Sequence, residues 1–183
     1  MLRNSATTWG SAARIFHWLM AALIIAQGVL GKYAHELEPT PEKLNLMMWH
    51  KSIGITLLFL VFFRSLWKLA NPRPVVAMAT ARWERTSARL SHIGLYALMF
   101  TIPLSGWLMN SAKNIPFSLY RIVPWPALIG PDKALGEVFE EWHEGLASVL
   151  LALLVLHIAA ALWHHFVKKD TVMIGMLWGS KTP

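Results

Sequence analysis

Apolar residues fall into four long stretches, at about 12–30, 49–69, 90–109 and 146–167, with polar and charged segments between them. Each stretch approaches the ~20 residues that carry a helix across a ~30 Å hydrocarbon core. The breaks in apolarity are few: Arg14, His17 and Gln27, then His50, Lys51 and Arg64, then His157. Pro103 lies inside the third stretch, where a membrane helix tolerates proline because neighbouring groups satisfy the freed carbonyl. The pattern predicts an all-α fold: a four-helix transmembrane bundle, with residues 1–183 forming one integral-membrane domain and no separate soluble part. A cleaved leader is the rival reading of the first stretch. That stretch is longer than the usual leader core, contains His17 and Gln27, and has no clear small-x-small cleavage signal after it. It is expected to remain as a span.

Composition narrows the chemistry. Of 183 residues, 55% are hydrophobic and only 15% charged, which argues against a disordered chain or an ordinary cytosolic globule. There is no cysteine, so disulfides, iron–sulfur clusters, thiolate zinc and covalently tethered haem are excluded together. The net charge of +7 points to nucleic acid until the charges are placed on the four-span topology. The side holding both termini and the second loop collects 11 Lys and Arg, Arg73 and Lys181 among them, against Glu84 and Asp170. The other side holds six Lys and Arg against eight acids. A +9 side facing a −2 side is a topology signal, and it places both termini in the cytoplasm. A nucleic-acid partner drops out, and membrane lipid takes its place.

The histidines carry the candidate chemistry. An ionisable group within a span is costly and usually functional, although one membrane histidine alone is as readily a helix–helix hydrogen bond. His143 and His157 are 14 residues apart on the fourth helix. That is ~3.9 turns, which puts them on nearly one face and ~21 Å apart along the axis. His50 enters the second helix at the depth of His143, and His17 lies at the depth of His157. Two layers of two imidazoles suit two b-type haems, each iron held on both faces without a tether. The residues four positions after these histidines are Ala21, Gly54, Ala147 and Ala161, small enough to leave room for a porphyrin. After His35, His92, His164 and His165 come Pro39, Tyr96, Lys168 and Lys169. His35 therefore reads as solvated, and His164 and His165 as interfacial anchors. His92 either bonds a propionate or quinone or replaces His17 as ligand.

Arg64 shares the face of His50 and lies near the cytoplasmic layer, where its fork suits a haem propionate; a snorkelling arginine is the alternative. Lys51, beside His50, and Arg14, one turn before His17, are lesser candidates for the same role. The tryptophans lie mostly near predicted span boundaries and read as aromatic belts. No P-loop, HExxH or GxGxxG occurs. A four-histidine metal transporter is the other reading, but stacked pairs fit haem better than a zinc site with three or four converging ligands.

The ordered segments ARIFHWLMA, MWHKSIGI, SHIGLYALM, IPLSGWLM, WHEGLA and LHIAAALWHHFVKKDTV resemble the bacterial cytochrome b561 family, from about Arg14 to Met176. The resemblance implies a four-helix membrane bundle of the bacterial inner membrane with two b haems. It implies His17 with His157 as ligands of the cytoplasmic haem, and His50 with His143 for the periplasmic haem. It also implies oxidation of periplasmic superoxide with electrons passed to ubiquinone. The alternative is a cytochrome b subunit serving a partner dehydrogenase, hydrogenase or other periplasmic redox protein. The −2 outer side does not attract an anion over long range, so a superoxide site needs a local basic mouth, built from residues such as Lys51, Lys113 or Arg121.

Overall fold

The structure, a computed structural model, describes residues 1–72, 74 and 81–179; Arg73 and Lys181, counted above in the charge balance, lie outside the described residues. Four long helices follow in chain order: α1 (Ser11–Glu36), α2 (Pro41–Leu69), α3 (Arg82–Ala112) and α4 (Lys133–Phe166). All four are long and apolar enough to cross a membrane. A two-stranded antiparallel hairpin, β1 (Ser118–Leu119) with β2 (Val123–Pro124), interrupts the connection from α3 to α4, and a short α5 (Val172–Trp178) ends the fold.

The helices extend beyond the apolar stretches because caps, rather than hydropathy, set their ends. At α2, Thr40 Oγ1 accepts from Lys43 N at 3.2 Å, and Pro41 takes the first helical position, where no N–H is needed. Lys43 Nζ then donates to the His35 and Leu37 carbonyls at the end of α1, satisfying acceptors that the helix leaves free. At α3, Glu84 reaches back to the Ala81 N–H at 3.1 Å, half of a capping box. Asp132 accepts from Leu135 N at 3.0 Å and opens α4. Pro103 sits inside an unbroken α3.

Solvation is inverted relative to a water-soluble bundle. Ile25, Val29, Phe62, Phe63, Val149, Leu151, Val155 and Leu156 are exposed, while Ser52, Ser105, Asn110 and Ser111 are buried. Apolar side chains turned outward from helices whose polar groups face inward is the arrangement that lipid demands.

Close contacts divide the chain into two compact units. The first comprises Met1–Leu19, Phe62–Ala97 and Leu150–Pro183, and the second Met20–Val61 and Leu98–Val149, so each long helix contributes a segment to both. In the first unit, Arg14 Nη1 donates to the Leu177 carbonyl at 3.0 Å and Trp18 Nε1 to the Met176 carbonyl at 3.1 Å, fixing α5 to the start of α1. Lys168 pairs with the buried Glu84, and His164 with Asp170. In the second unit the hairpin turns through Tyr120 and Arg121, with φ of 51° and 62°. Left-handed backbone is unfavourable for a bulky residue, and here several bonds offset it. Tyr120 N donates to Ser52 Oγ at 2.9 Å, its hydroxyl bonds Thr56 Oγ1 at 2.6 Å, and its ring packs on Trp49 at 5.7 Å. Arg121 donates to Asn45 Oδ1 at 2.7 Å.

Candidate functional site

Each unit brings one predicted pair of histidines together. In the first unit the ring centres of His17, from α1, and His157, from α4, are 6.2 Å apart. In the second, those of His50, from α2, and His143, from α4, are 6.1 Å apart. A metal–imidazole nitrogen bond is about 2 Å, and the ring centre lies about 1.1 Å further, so two axial imidazoles on one metal place their centres about 6 Å apart. Both pairs meet that spacing. Among the described residues no three His, Cys, Asp or Glu side chains are grouped as a chelated metal ion needs.

In the second unit the surroundings of the two rings are legible atom by atom. His143 Nδ1 lies 3.0 Å from the Ile102 carbonyl oxygen, which only accepts, so the proton resides on Nδ1 and Nε2 keeps its lone pair. His50 Nδ1 is buried without a hydrogen-bond partner. The Gln27 amide instead donates to the His50 main-chain carbonyl. Two glycines make room for the rings. A Cβ on Gly31 would stand 2.6 Å from His50 Cε1, and one on Gly106 would stand 3.0 Å from His143 Cε1. Two imidazoles at axial spacing, one with a defined free nitrogen and both fitted against bare backbone, suit a b-type haem.

The first unit adds charge. Arg64 Nη2 lies 3.2 Å from His17 Nδ1, and its guanidinium stands over Tyr96, 5.6 Å from the ring centre. A guanidinium only donates, so in this contact His17 Nδ1 accepts and the ring proton is on Nε2. His92 also stands in this group, 5.5 Å from His157 between ring centres. The three rings leave His17 and His92 as competing partners for His157, as the sequence left them.

The other candidates are sorted by their partners. Arg14, expected near the first pair, bonds the Leu177 carbonyl instead, because α5 supplies an acceptor that hydropathy did not reveal. Lys51 Nζ donates to Asn110 Oδ1 at 2.6 Å and lies half-buried, so its charge meets a neutral amide. Lys113 is ion-paired with Glu140 at 2.6 Å, and Arg121 is held by Asn45, so each residue of the expected basic mouth has a partner of its own. His35 is exposed, as expected, 3.8 Å from Glu144. His164 pairs with Asp170, and the His165 ring meets that of Phe166 edge-on, 4.7 Å between centres. Gly31, Gly106 and Ile102, which stand against the His50 and His143 rings, are not singled out by the sequence pattern, and Ser105 shows no catalytic constellation there. The SG step of IPLSGWLM, at the predicted depth of His143, was the available signal for two of them.

Comparison with known proteins identifies the family. A family model described as prokaryotic cytochrome b561 matches residues 8–179. "Cytochrome b561 homolog 2" of Escherichia coli (strain K12) is 31% identical over 186 residues, covering 98% of this chain and 96% of the relative. "Cytochrome b561 homolog 1" of the same organism is 28% identical over 130 residues, 70% of this chain and 72% of the relative. A Yersinia pestis protein named "Probable superoxide oxidase CybB" is 26% identical over 164 residues, 88% of this chain and 90% of that protein. With four membrane-type helices, imidazoles paired at axial spacing and a family match spanning nearly its whole length, the chain belongs to the prokaryotic cytochrome b561 family.

Proposed function

We propose that this multi-pass membrane electron-transfer protein, a member of a haem b family, holds two haems and passes electrons from periplasmic superoxide to ubiquinone. The observation that carries the reading is the pair of ring separations, 6.2 Å for His17 with His157 and 6.1 Å for His50 with His143. When bound, a b-type haem supplies one-electron exchange at an iron whose potential its axial ligands tune. His17 and His157 hold the cytoplasmic haem, and His50 and His143 the periplasmic one. Arg64, which stands beside His17 and whose fork matches a carboxylate, would hold a haem propionate there. Lys51 offers its ammonium to a carboxylate in the same way. His92 bonds the edge of the site beside His157.

Each superoxide surrenders one electron and leaves as dioxygen; two electrons with two protons convert ubiquinone to ubiquinol. The superoxide assignment draws on the name of the Yersinia pestis relative together with the sequence resemblance. Both termini face the cytoplasm on the charge asymmetry, and the membrane is the bacterial inner membrane.

A second reading, a subunit docked to a periplasmic redox protein, is favoured by one observation. The outer loops carry net negative charge, and Glu140 occupies Lys113, so this face suits a basic protein better than a small anion. The purified holoprotein, an enzymatic superoxide source and a soluble ubiquinone analogue separate the two. Haem reduction by superoxide followed by reoxidation on adding quinone supports the oxidase. Haems that ignore superoxide and are reduced by a co-purified redox protein establish the subunit.

A further inference from the structure

The two imidazoles of the second unit differ in what their outer nitrogens meet. His50 Nδ1 is buried with no partner, whereas His143 Nδ1 meets two oxygens, Ile102 O at 3.0 Å and Ser105 Oγ at 3.1 Å. Ser105 is buried, and its hydroxyl donates to that same Ile102 carbonyl at 2.8 Å. With its proton committed there, Ser105 Oγ faces His143 as an acceptor. The Nδ1–H is therefore shared between two acceptors. Gly106 permits this approach, because a Cβ there would stand 3.0 Å from His143 Cε1 and 3.2 Å from Nδ1.

We propose that Ser105 is a positioning residue that fixes the His143 ring and tautomer and lowers the reduction potential of the haem that His143 holds. The proposal rests on the ligand reading of His143 given above. A hydrogen bond accepted from the far nitrogen raises the basicity of a ligating imidazole. A more basic ligand stabilises ferric iron over ferrous, so Ser105 favours the oxidised form. His50, whose Nδ1 has no partner among the described residues, makes no such contribution. The potential of this haem is then set in part from the α3 side, through the Ile102 carbonyl and a hydroxyl that touches neither the iron nor a substrate.

The test is potentiometric titration of the holoprotein, following the haem absorbance, on Ser105→Ala, Ser105→Cys, Ser105→Thr and His143→Ala. We expect Ser105→Ala to keep both haems and raise the midpoint potential of one while leaving the other unchanged. Ser105→Cys, whose thiol is a weak acceptor, should shift the same haem upward, and Ser105→Thr should return it to the parent value. The ferric low-spin electron paramagnetic resonance signal of that haem should shift with the potential. His143→Ala should lose the haem that Ser105 tunes. If the Ala and Cys variants leave both potentials unmoved while His143→Ala loses a haem, the role of Ser105 is refuted and the ligand reading stands. If His143→Ala retains both haems, the ligand reading itself fails. Ser105→Cys keeps the proposal exposed even if the alanine variant does not assemble.

Discussion

Arg64 Nη2 lies 3.2 Å from His17 Nδ1, joining a permanent cation on α2 to a candidate ligand on α1. The arginine sits 14 residues after His50 on the same helix, yet its partner belongs to the other histidine pair. It is thus the charged group positioned to neutralise a carboxylate beside His17. Arg64→Ala should weaken retention of that haem by about 1.5–3 kcal/mol, the value of a charged hydrogen bond, or roughly ten- to a hundredfold. Arg64→Lys should recover part of this, since it keeps the charge and loses the fork. Haem loss to an excess of an apo-haem acceptor measures both.

The histidine pairing predicts a non-additive pattern. His17→Ala and His157→Ala should each reduce the haemochrome content from two haems per chain to one, and the double variant should lose no more than either alone. His50→Ala and His143→Ala should behave in the same way toward the other haem. If His92→Ala removes a haem while His17→Ala keeps both, the partner of His157 is His92.

Gly31 and Gly106 test the room available to the rings. Gly31→Ala places a methyl 2.6 Å from His50 Cε1 and 2.9 Å from its Nδ1, closer than atoms pack; Gly106→Ala places one 3.0 Å from His143 Cε1. Overpacking of this kind costs about 1–3 kcal/mol. Both variants should lower the temperature at which the haem absorbance is lost, Gly31→Ala more than Gly106→Ala, and the haem associated with His17 should retain its spectrum.

Orientation can be read directly because the chain has no cysteine. Single cysteines at Lys133 and Lys32 should react with an impermeant maleimide in intact cells, and those at Arg89 and Lys169 only after permeabilisation. The reverse pattern would place both termini outside and exchange the sides assigned to the two histidine pairs.

The spans, and the shared face of His143 and His157, were legible because both depend on one helix at a time. Twenty apolar residues make a span whatever surrounds them, and a 14-residue spacing returns to the same face of any α-helix. The small residues were assigned less successfully. Gly54, chosen for its position four residues after His50, faces Gln27, 3.5 Å from where its Cβ would be. Helical side chains lean toward the N-terminal turn, and the bare backbone against His50 and His143 comes from Gly31 on α1 and Gly106 on α3. No periodicity within one helix identifies a neighbour's glycine. The partner of Arg14 is hidden for a related reason: its acceptor is a carbonyl of α5, a seven-residue helix without a span's hydropathy. The Tyr120–Arg121 turn depends on Ser52 and Thr56, far away in sequence, and had no local signature.

The clasp between α1 and α5 has a consequence for biosynthesis. Arg14 and Trp18 are translated well before their acceptors, Leu177 and Met176, which lie 163 and 158 positions later. At 5–20 residues per second, the ribosome takes on the order of ten seconds or more to make that length. Through this interval the opening turns of α1 are already in the bilayer without their final bonds. Only when α5 leaves the exit tunnel do Arg14 and Trp18 acquire these bonds, so a message truncated after Asp170 yields all four spans and leaves α1 unlatched.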